Sequence, residues 1–202
     1  MADSDADGDV LSVTTFVVAG DPATYNAGDT ATIAGVGTVL LASDGSYTFT
    51  PDADWNGTVP AITYTLSDGE GGSDTADLVI TVDPVNDAPV ASGTIADQSD
   101  DDAGVVAGVA TSSFFSDIDG DVLGYSASGL PAGLSIDPVT GVISGTIDNS
   151  ASQGGPASDG VYSVTVTADD GNGGTVDQTF TWTGANPAPV ANDDAASTDE
   201  DV

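Results

Sequence analysis

Not one Lys, Arg or His occurs in the chain, against 33 acidic residues, of which only Glu70 and Glu200 are not Asp. No carboxylate can therefore form an internal salt bridge with a side chain. The formal charge of −33 opposes compaction unless solvent ions or a bound metal offset it. Nucleic acid and anionic membrane surfaces are excluded as partners, since phosphate binding needs Lys or Arg. The general bases and nucleophiles available reduce to Asp, Glu, Ser, Thr and Tyr. Cysteine is absent as well, which removes disulfides and thiolate sites. Any metal staple must then be a hard cation with oxygen ligands. Acidity alone would suit a disordered chain, but 39% of the residues are hydrophobic and they are regularly patterned. A core is expected. No apolar run reaches membrane-spanning length.

The sequence repeats itself. Asp5-Ala6-Asp7-Gly8-Asp9-Val10-Leu11 recurs as Asp117-Ile118-Asp119-Gly120-Asp121-Val122-Leu123. Asp68-Gly69-Glu70-Gly71-Gly72 recurs as Asp170-Gly171-Asn172-Gly173-Gly174, and Asn86-Asp87-Ala88-Pro89-Val90-Ala91 as Asn186-Pro187-Ala188-Pro189-Val190-Ala191. Offsets of 112, 102 and 100 residues define modules of about 100 residues divided at Pro-rich segments. The expected division is 1–87, a repeat lacking its first strand, then 88–186, then 187–202 as the start of a further repeat. Between the repeated signals the pattern has period 2 and is β-branched. Thr75 to Val82 reads as one strand. In Val161 to Thr167, Tyr162, Val164 and Val166 share a face. Gly37 to Thr50 reads as a hairpin turning at Ser43-Asp44-Gly45. With 26 glycines and no capped stretch of helical spacing, the expectation is all-β: tandem immunoglobulin-like, Greek-key β-sandwiches.

An Asp-x-Asp-Gly-Asp stretch gathers carboxylates on a tight turn, which suits a hard cation wanting about six to eight oxygens. Residues 3–8 fit the opening of an EF-hand, but its twelfth position falls on Thr14, which is no bidentate acid. A site assembled from separate loops fits better. In the second module Asp117, Asp119 and Asp121 would meet Asp169 or Asp170, with Asp83, Asn86 and Asp87 from the linker. In the first module Asp5, Asp7, Asp9 and Asp68 are the corresponding candidates. The competing reading is that Asp-Gly pairs merely make turns and acids solvate loop tips. Recurrence of the clusters on a chain without a cation favours metal.

Phe115-Ser116-Asp117-Ile118-Asp119-Gly120-Asp121, Gly129-Leu130-Pro131-Ala132-Gly133-Leu134, Thr140-Gly141-Val142-Ile143-Ser144-Gly145-Thr146 and Asp169-Asp170-Gly171-Asn172-Gly173-Gly174 together resemble the dystroglycan-type cadherin-like repeat. Tyr47-Thr48-Phe49-Thr50-Pro51-Asp52-Ala53-Asp54-Trp55-Asn56-Gly57 and Tyr64-Thr65-Leu66-Ser67-Asp68-Gly69 are similar to VCBS-type and bacterial cadherin-like repeats. Asp83-Pro84-Val85-Asn86-Asp87-Ala88-Pro89 is similar to a cadherin linker, whereas Gly184-Ala185-Asn186-Pro187-Ala188-Pro189 has lost both acidic positions. The resemblance implies Ca2+ at module junctions, firmer at the first linker than at the second. It also implies an extracellular place on a bacterial surface, within a large adhesin of the RTX type. A calcium-stiffened spacer, partnered by neighbouring repeats, is the leading expectation. A homophilic or polysaccharide-binding module is the alternative. Trp55, beside Asp54 and Asn56, could be a sugar platform but reads better as a core anchor, as does Trp182. A glycosidase-like acid pair is disfavoured, because catalysis wants a carboxyl in an apolar pocket and these acids sit in Gly-rich turns. The polar stretch Asp148 to Ser158 reads as an exposed insertion.

Overall fold

A computed structural model describes residues 3–191 and 193; of the expected start of a further repeat, residues 192 and 194–202 lie outside them. The chain divides into two compact units, Met1–Val85 and Asn86–Val202. Among the described residues both are built of strands, with two short 3-10 turns, Ser112–Phe114 and Ala151–Gln153, as the helical content. Among the described residues no helix is long and apolar enough to cross a membrane.

Unit 1 contains β1 (Ser12–Val18), β2 (Thr24–Asn26), β3 (Thr30–Ile33), β4 (Gly37–Leu41), β5 (Tyr47–Pro51), β6 (Gly57–Thr58), β7 (Ile62–Ser67), β8 (Ser73–Leu78) and β9 (Thr81–Val82). One sheet runs β2-β1-β7-β8 and the other β3-β4-β5, all antiparallel, with β6 and β9 as a separate pair. Val13, Phe16 and Val18 from β1, Ala31 from β3, Val39 and Leu41 from β4, and Ile62 from β7 form the core. The spacing 13, 16, 18 breaks strict alternation because β1 bulges between Val13 and Thr15; one extra residue resets which side chains face inward. The hairpin expected over residues 37–50 is β4–β5, and Ser46 closes its turn by donating its N–H and hydroxyl to Asp44 Oδ1 at 2.9 and 2.6 Å. Thr75 to Val82 is not one strand. The ladder stops at Leu78, the Val59 N–H bonds the Ile80 carbonyl at 2.9 Å, and Thr81–Val82 pair with β6 instead.

Unit 2 contains β10 (Val90–Ala91), β11 (Gln98–Asp101), β12 (Val105–Ala110), β13 (Phe115–Ser116), β14 (Gly124–Ser128), β15 (Leu134–Ile136), β16 (Val142–Thr146), β17 (Val161–Asp169) and β18 (Thr175–Ala185). One sheet runs β11-β18-β17-β14, with β11 parallel to β18, and the other β12-β16-β15; β10 pairs with β13. Val164, Val166 and Ala168 of β17 are fully buried, as the alternation requires, and pack with Ile143, Phe180 and Trp182. Trp182 is wholly enclosed and its indole N–H donates to Asp100 at 3.1 Å. That bond ties β11 to the core while satisfying the one polar atom the indole brings inside. Asp148 to Ser158 is only half an insertion. Ala151 is buried, Ser152 donates its N–H and hydroxyl to Asp102 at 2.7 and 2.6 Å, and the Tyr162 hydroxyl donates to the Ala151 carbonyl. A single apolar side chain at Ala151 is enough to pin the loop, and the residues from Pro156 to Asp159 remain exposed.

Candidate metal centre

The Asp-Gly loops take their shape from their own carboxylates. Asp117 Oδ1 accepts the N–H of Asp119 at 2.9 Å and of Asp121 at 3.4 Å. This curls the loop so that one oxygen of each of Asp117, Asp119 and Asp121 lies within 4.8 Å of the others. Gly120 sits at φ +80°, where only glycine is unstrained, and the turn needs it. The other oxygen of Asp117, Oδ2, is buried and has no hydrogen-bond partner. A buried, unpaired carboxylate oxygen is costly. Among the described residues this is the one such gathering of three acids.

The linker and the β17–β18 turn close around this loop, all within unit 2. The Asp87 N–H donates to Asp119 Oδ2 at 2.7 Å, and Asn86 Nδ2 donates to Asp170 Oδ2 at 2.9 Å. Asn172 Nδ2 donates to Asp121 Oδ2 at 2.8 Å. Asp170 is 95% enclosed, being 5% exposed. Its Oδ1 accepts the N–H groups of Asn172 and Gly174 at 2.7 and 2.9 Å. The Asn86 amide above all, with these backbone donors, holds the Asp170 carboxyl below the ordinary range against the opposing effect of burial. Gly174 is forced by proximity: a Cβ there would lie 2.7 Å from Ala88 Cα and would strike Asp170 Oδ2.

The expected residues thus fall into three groups. Asp117, Asp119 and Asp121 converge, and Asn86, Asp87 and Asp170 are bonded to that loop or beside it. Asn86 is engaged through its amide nitrogen, which leaves its oxygen as the atom for a cation. Asp169 is exposed at the end of β17, with Oδ1 turned back to the Gly171 N–H at 2.7 Å. Asp83 is exposed and belongs to unit 1. In unit 1 the turns repeat: Asp5 Oδ1 accepts the N–H groups of Asp7, Gly8 and Asp9, and Asp68 Oδ1 those of Glu70 and Gly72. These backbone donors, Asp9 foremost, lower the Asp5 carboxyl. Asp5, Asp7, Asp9 and Asp68 nevertheless form no gathering of three. Asn172 was not among the expected site residues; its place in Asp-Gly-Asn-Gly-Gly, opposite the Asp-rich loop, was the available signal.

Residues 1–84 match the family model of the bacterial cadherin-like domain, and residues 88–185 match that of a putative Ig domain. The chain is a tandem of cadherin-like, immunoglobulin-type modules. A fragment of mouse cadherin-23, repeats EC22-24, is similar in fold over 92% of this chain and 56% of its own, at 15% identity and a TM-score of 0.54. Repeats EC1-2 of human mucin-like protocadherin are similar over 89% of this chain and all of theirs, at 16% identity and a TM-score of 0.50. An endo-fucoidan hydrolase of glycoside hydrolase family 107 matches at 22% identity with a TM-score of 0.39, too low to bear on activity. The chain spans between 17% and 24% of the length of the glycoside hydrolases it matches. No curated protein matches it. The acid cluster lies on the loop between β13 and β14 of unit 2; Asp87 is tied to that loop through Asp119, and Asn86 to Asp170 on the neighbouring β17–β18 turn.

Proposed function

We propose that this chain is a non-catalytic spacer of a bacterial cell-surface adhesin of the RTX type, stiffened by Ca2+. The buried, partnerless Asp117 Oδ2 within the Asp117–Asp119–Asp121 cluster is the observation that supports this reading most. A cation there supplies the missing partner and cancels the repulsion among the three acids. Asp117, Asp119 and Asp121 are the ligands assigned by charge, with the Asn86 side-chain oxygen and Asp87 as neutral and acidic additions. Asp170 and Asn172 hold the surrounding loops. The donor set is all oxygen, which suits calcium over the transition metals.

The mechanical consequence follows from chain order. Asn86 and Asp87 come directly after Val85, the last residue of unit 1. Fixing them on a metal-filled loop restricts the joint between successive modules, so the array lengthens and stiffens when calcium is present. Extracellular modules bind calcium with dissociation constants of about 10⁻⁴–10⁻³ M, which leaves them loaded outside a cell and empty within. The partners in this reading are the neighbouring repeats. A sugar-binding reading is not favoured, because Trp55 packs edge-on against Phe49, 6.0 Å between ring centres, and its ring joins the core margin. Small-angle scattering of the chain in calcium and in chelator tests the mechanical claim. A longer, narrower particle in calcium is expected, and an unchanged profile would overturn it.

A further inference from the structure

We propose that Asn172 is a site of spontaneous deamidation, and that the aspartate formed stands as a fourth acid beside the Asp117–Asp119–Asp121 cluster. Asparagine is a thermolabile residue, and a following glycine exposes it most, because no side chain shields the backbone nitrogen that attacks it. Only Asn56 and Asn172 precede glycine in the chain, and the fold treats them differently. Gly57 opens β6, paired with Val82 of β9, and the Trp55 ring stands 3.6 Å from where its Cβ would be. Asn172 and Gly173 are both exposed on the β17–β18 turn, and nothing lies within 4 Å of where a Gly173 Cβ would be. Gly173 holds φ +109°, a backbone conformation that favours glycine. The N–H groups of Asn172 and Gly174 are held by Asp170 Oδ1 at 2.7 and 2.9 Å, whereas that of Gly173 contributes least to lowering the Asp170 carboxyl. The nitrogen that must attack is thus the least committed of the three.

In the reaction the Gly173 nitrogen bonds to Cγ of Asn172, the Cγ–Nδ2 bond breaks, and ammonia leaves with the proton that the Gly173 amide gives up. Water opens the cyclic succinimide that remains at either carbonyl, to aspartate or to isoaspartate. Amide and water become acid and ammonia, with nothing oxidised or reduced. The consequence depends on where the side chain lies. Asn172 Nδ2 donates to Asp121 Oδ2 at 2.8 Å, and a carboxylate at the same place exchanges that bond for repulsion. Unit 1 shows that the turn itself accepts an acid there. Glu70 stands at the matching position of Asp68-Gly69-Glu70-Gly71-Gly72, and the N–H groups of Glu70 and Gly72 bond Asp68 Oδ1 at 2.8 and 2.9 Å. Those of Asn172 and Gly174 bond Asp170 in the same way. Deamidation therefore loosens the metal-free chain at this turn. With calcium, a step that rests on the proposed spacer function, the added negative charge tightens binding, because ligand charge tunes the affinity of such sites.

Incubation of the whole chain in chelator at neutral and at alkaline pH, followed by mass spectrometry of its chymotryptic peptides, tests the site. The peptide with Asn172 should gain the mass of an amide-to-acid exchange ahead of the one with Asn56. The gain should be faster at the higher pH, where the Gly173 nitrogen gives up its proton more readily. Asn172→Gln should abolish the gain at that position. Asn172→Asp, which supplies the product directly, should melt several degrees below the parent in chelator and bind calcium several-fold more tightly in titration. Asn172 that outlasts Asn56, a rate indifferent to pH, or Asn172→Asp that melts with the parent in chelator would each overturn the proposal. Equal calcium affinities in the two chains would overturn it as well. A parent that binds no calcium defeats the spacer function instead, and the mass and chelator measurements still decide whether Asn172 is the site.

Discussion

Asp117→Asn should raise stability without calcium yet abolish most of the stability that calcium adds, which a purely structural role cannot do. The substitution keeps the side chain's shape, and its remaining oxygen can still accept the N–H groups of Asp119 and Asp121. What changes is charge. With each pair of oxygens no more than 4.8 Å apart, repulsion per pair is at least about 0.9 kcal/mol in water and roughly 3.5 kcal/mol at an effective dielectric of about 20. Two of the three pairs vanish, so the water limit alone relieves about 2 kcal/mol. An orphaned amide also replaces an orphaned carboxylate, which is less costly to bury. Metal-free melting should therefore rise by several degrees. In calcium most of that gain should be offset, because a charged ligand is gone; an affinity loss of about a hundredfold removes nearly all the linked stabilisation, about 1.4 kcal/mol at calcium tenfold above the dissociation constant. Differential scanning calorimetry in chelator and in millimolar calcium reads both arms. A variant destabilised equally in the two conditions would refute the electrostatic reasoning.

Gly174→Ala should lower calcium affinity without touching a ligand, since its Cβ pushes Ala88 and the adjoining Asn86 away from the loop; overpacking of this kind costs about 1–3 kcal/mol, and calorimetry checks both effects. Asn172→Ala, which frees Asp121, should weaken calcium less than Asp121→Asn does, and a reversed order in titration would count against the assigned roles. For pH, the lowered Asp170 carboxyl sets the sign. Its bond with Asn86 contributes fully above the ordinary carboxylate value of 3.8 and is lost as pH falls through its lower folded value. Protection of the Asn86 side-chain amide by NMR should accordingly persist at pH 4 and disappear only in stronger acid.

The period-2 pattern made the inward faces of β4 and β17 readable, because burial and alternation coincide there. It did not reveal the β1 bulge at Thr14 or the break at Val79, since both depend on how neighbouring strands register rather than on local propensity. The acid cluster was readable from repetition, but which of its two copies converges was not. Asp5, Asp7 and Asp9 have nearly the same sequence as Asp117, Asp119 and Asp121, yet only the latter gather. The difference lies in long-range bonds from Asp87 and Asn172, which no local motif encodes. The pinning of Ala151 was hidden for the same reason. Its partners Asp102 and Tyr162 are distant in sequence, and the loop's polar composition pointed outward.

The most direct test of the calcium account is isothermal titration of the whole chain at physiological salt, with magnesium as the control for mere screening of the −33 charge. The account predicts saturable calcium binding that magnesium does not reproduce and that Asp117→Asn with Asp119→Asn removes. It also predicts a linked gain in melting stability of about 1.4 kcal/mol at calcium tenfold above the dissociation constant. Heats that magnesium matches, or binding that survives the double substitution, would contradict it.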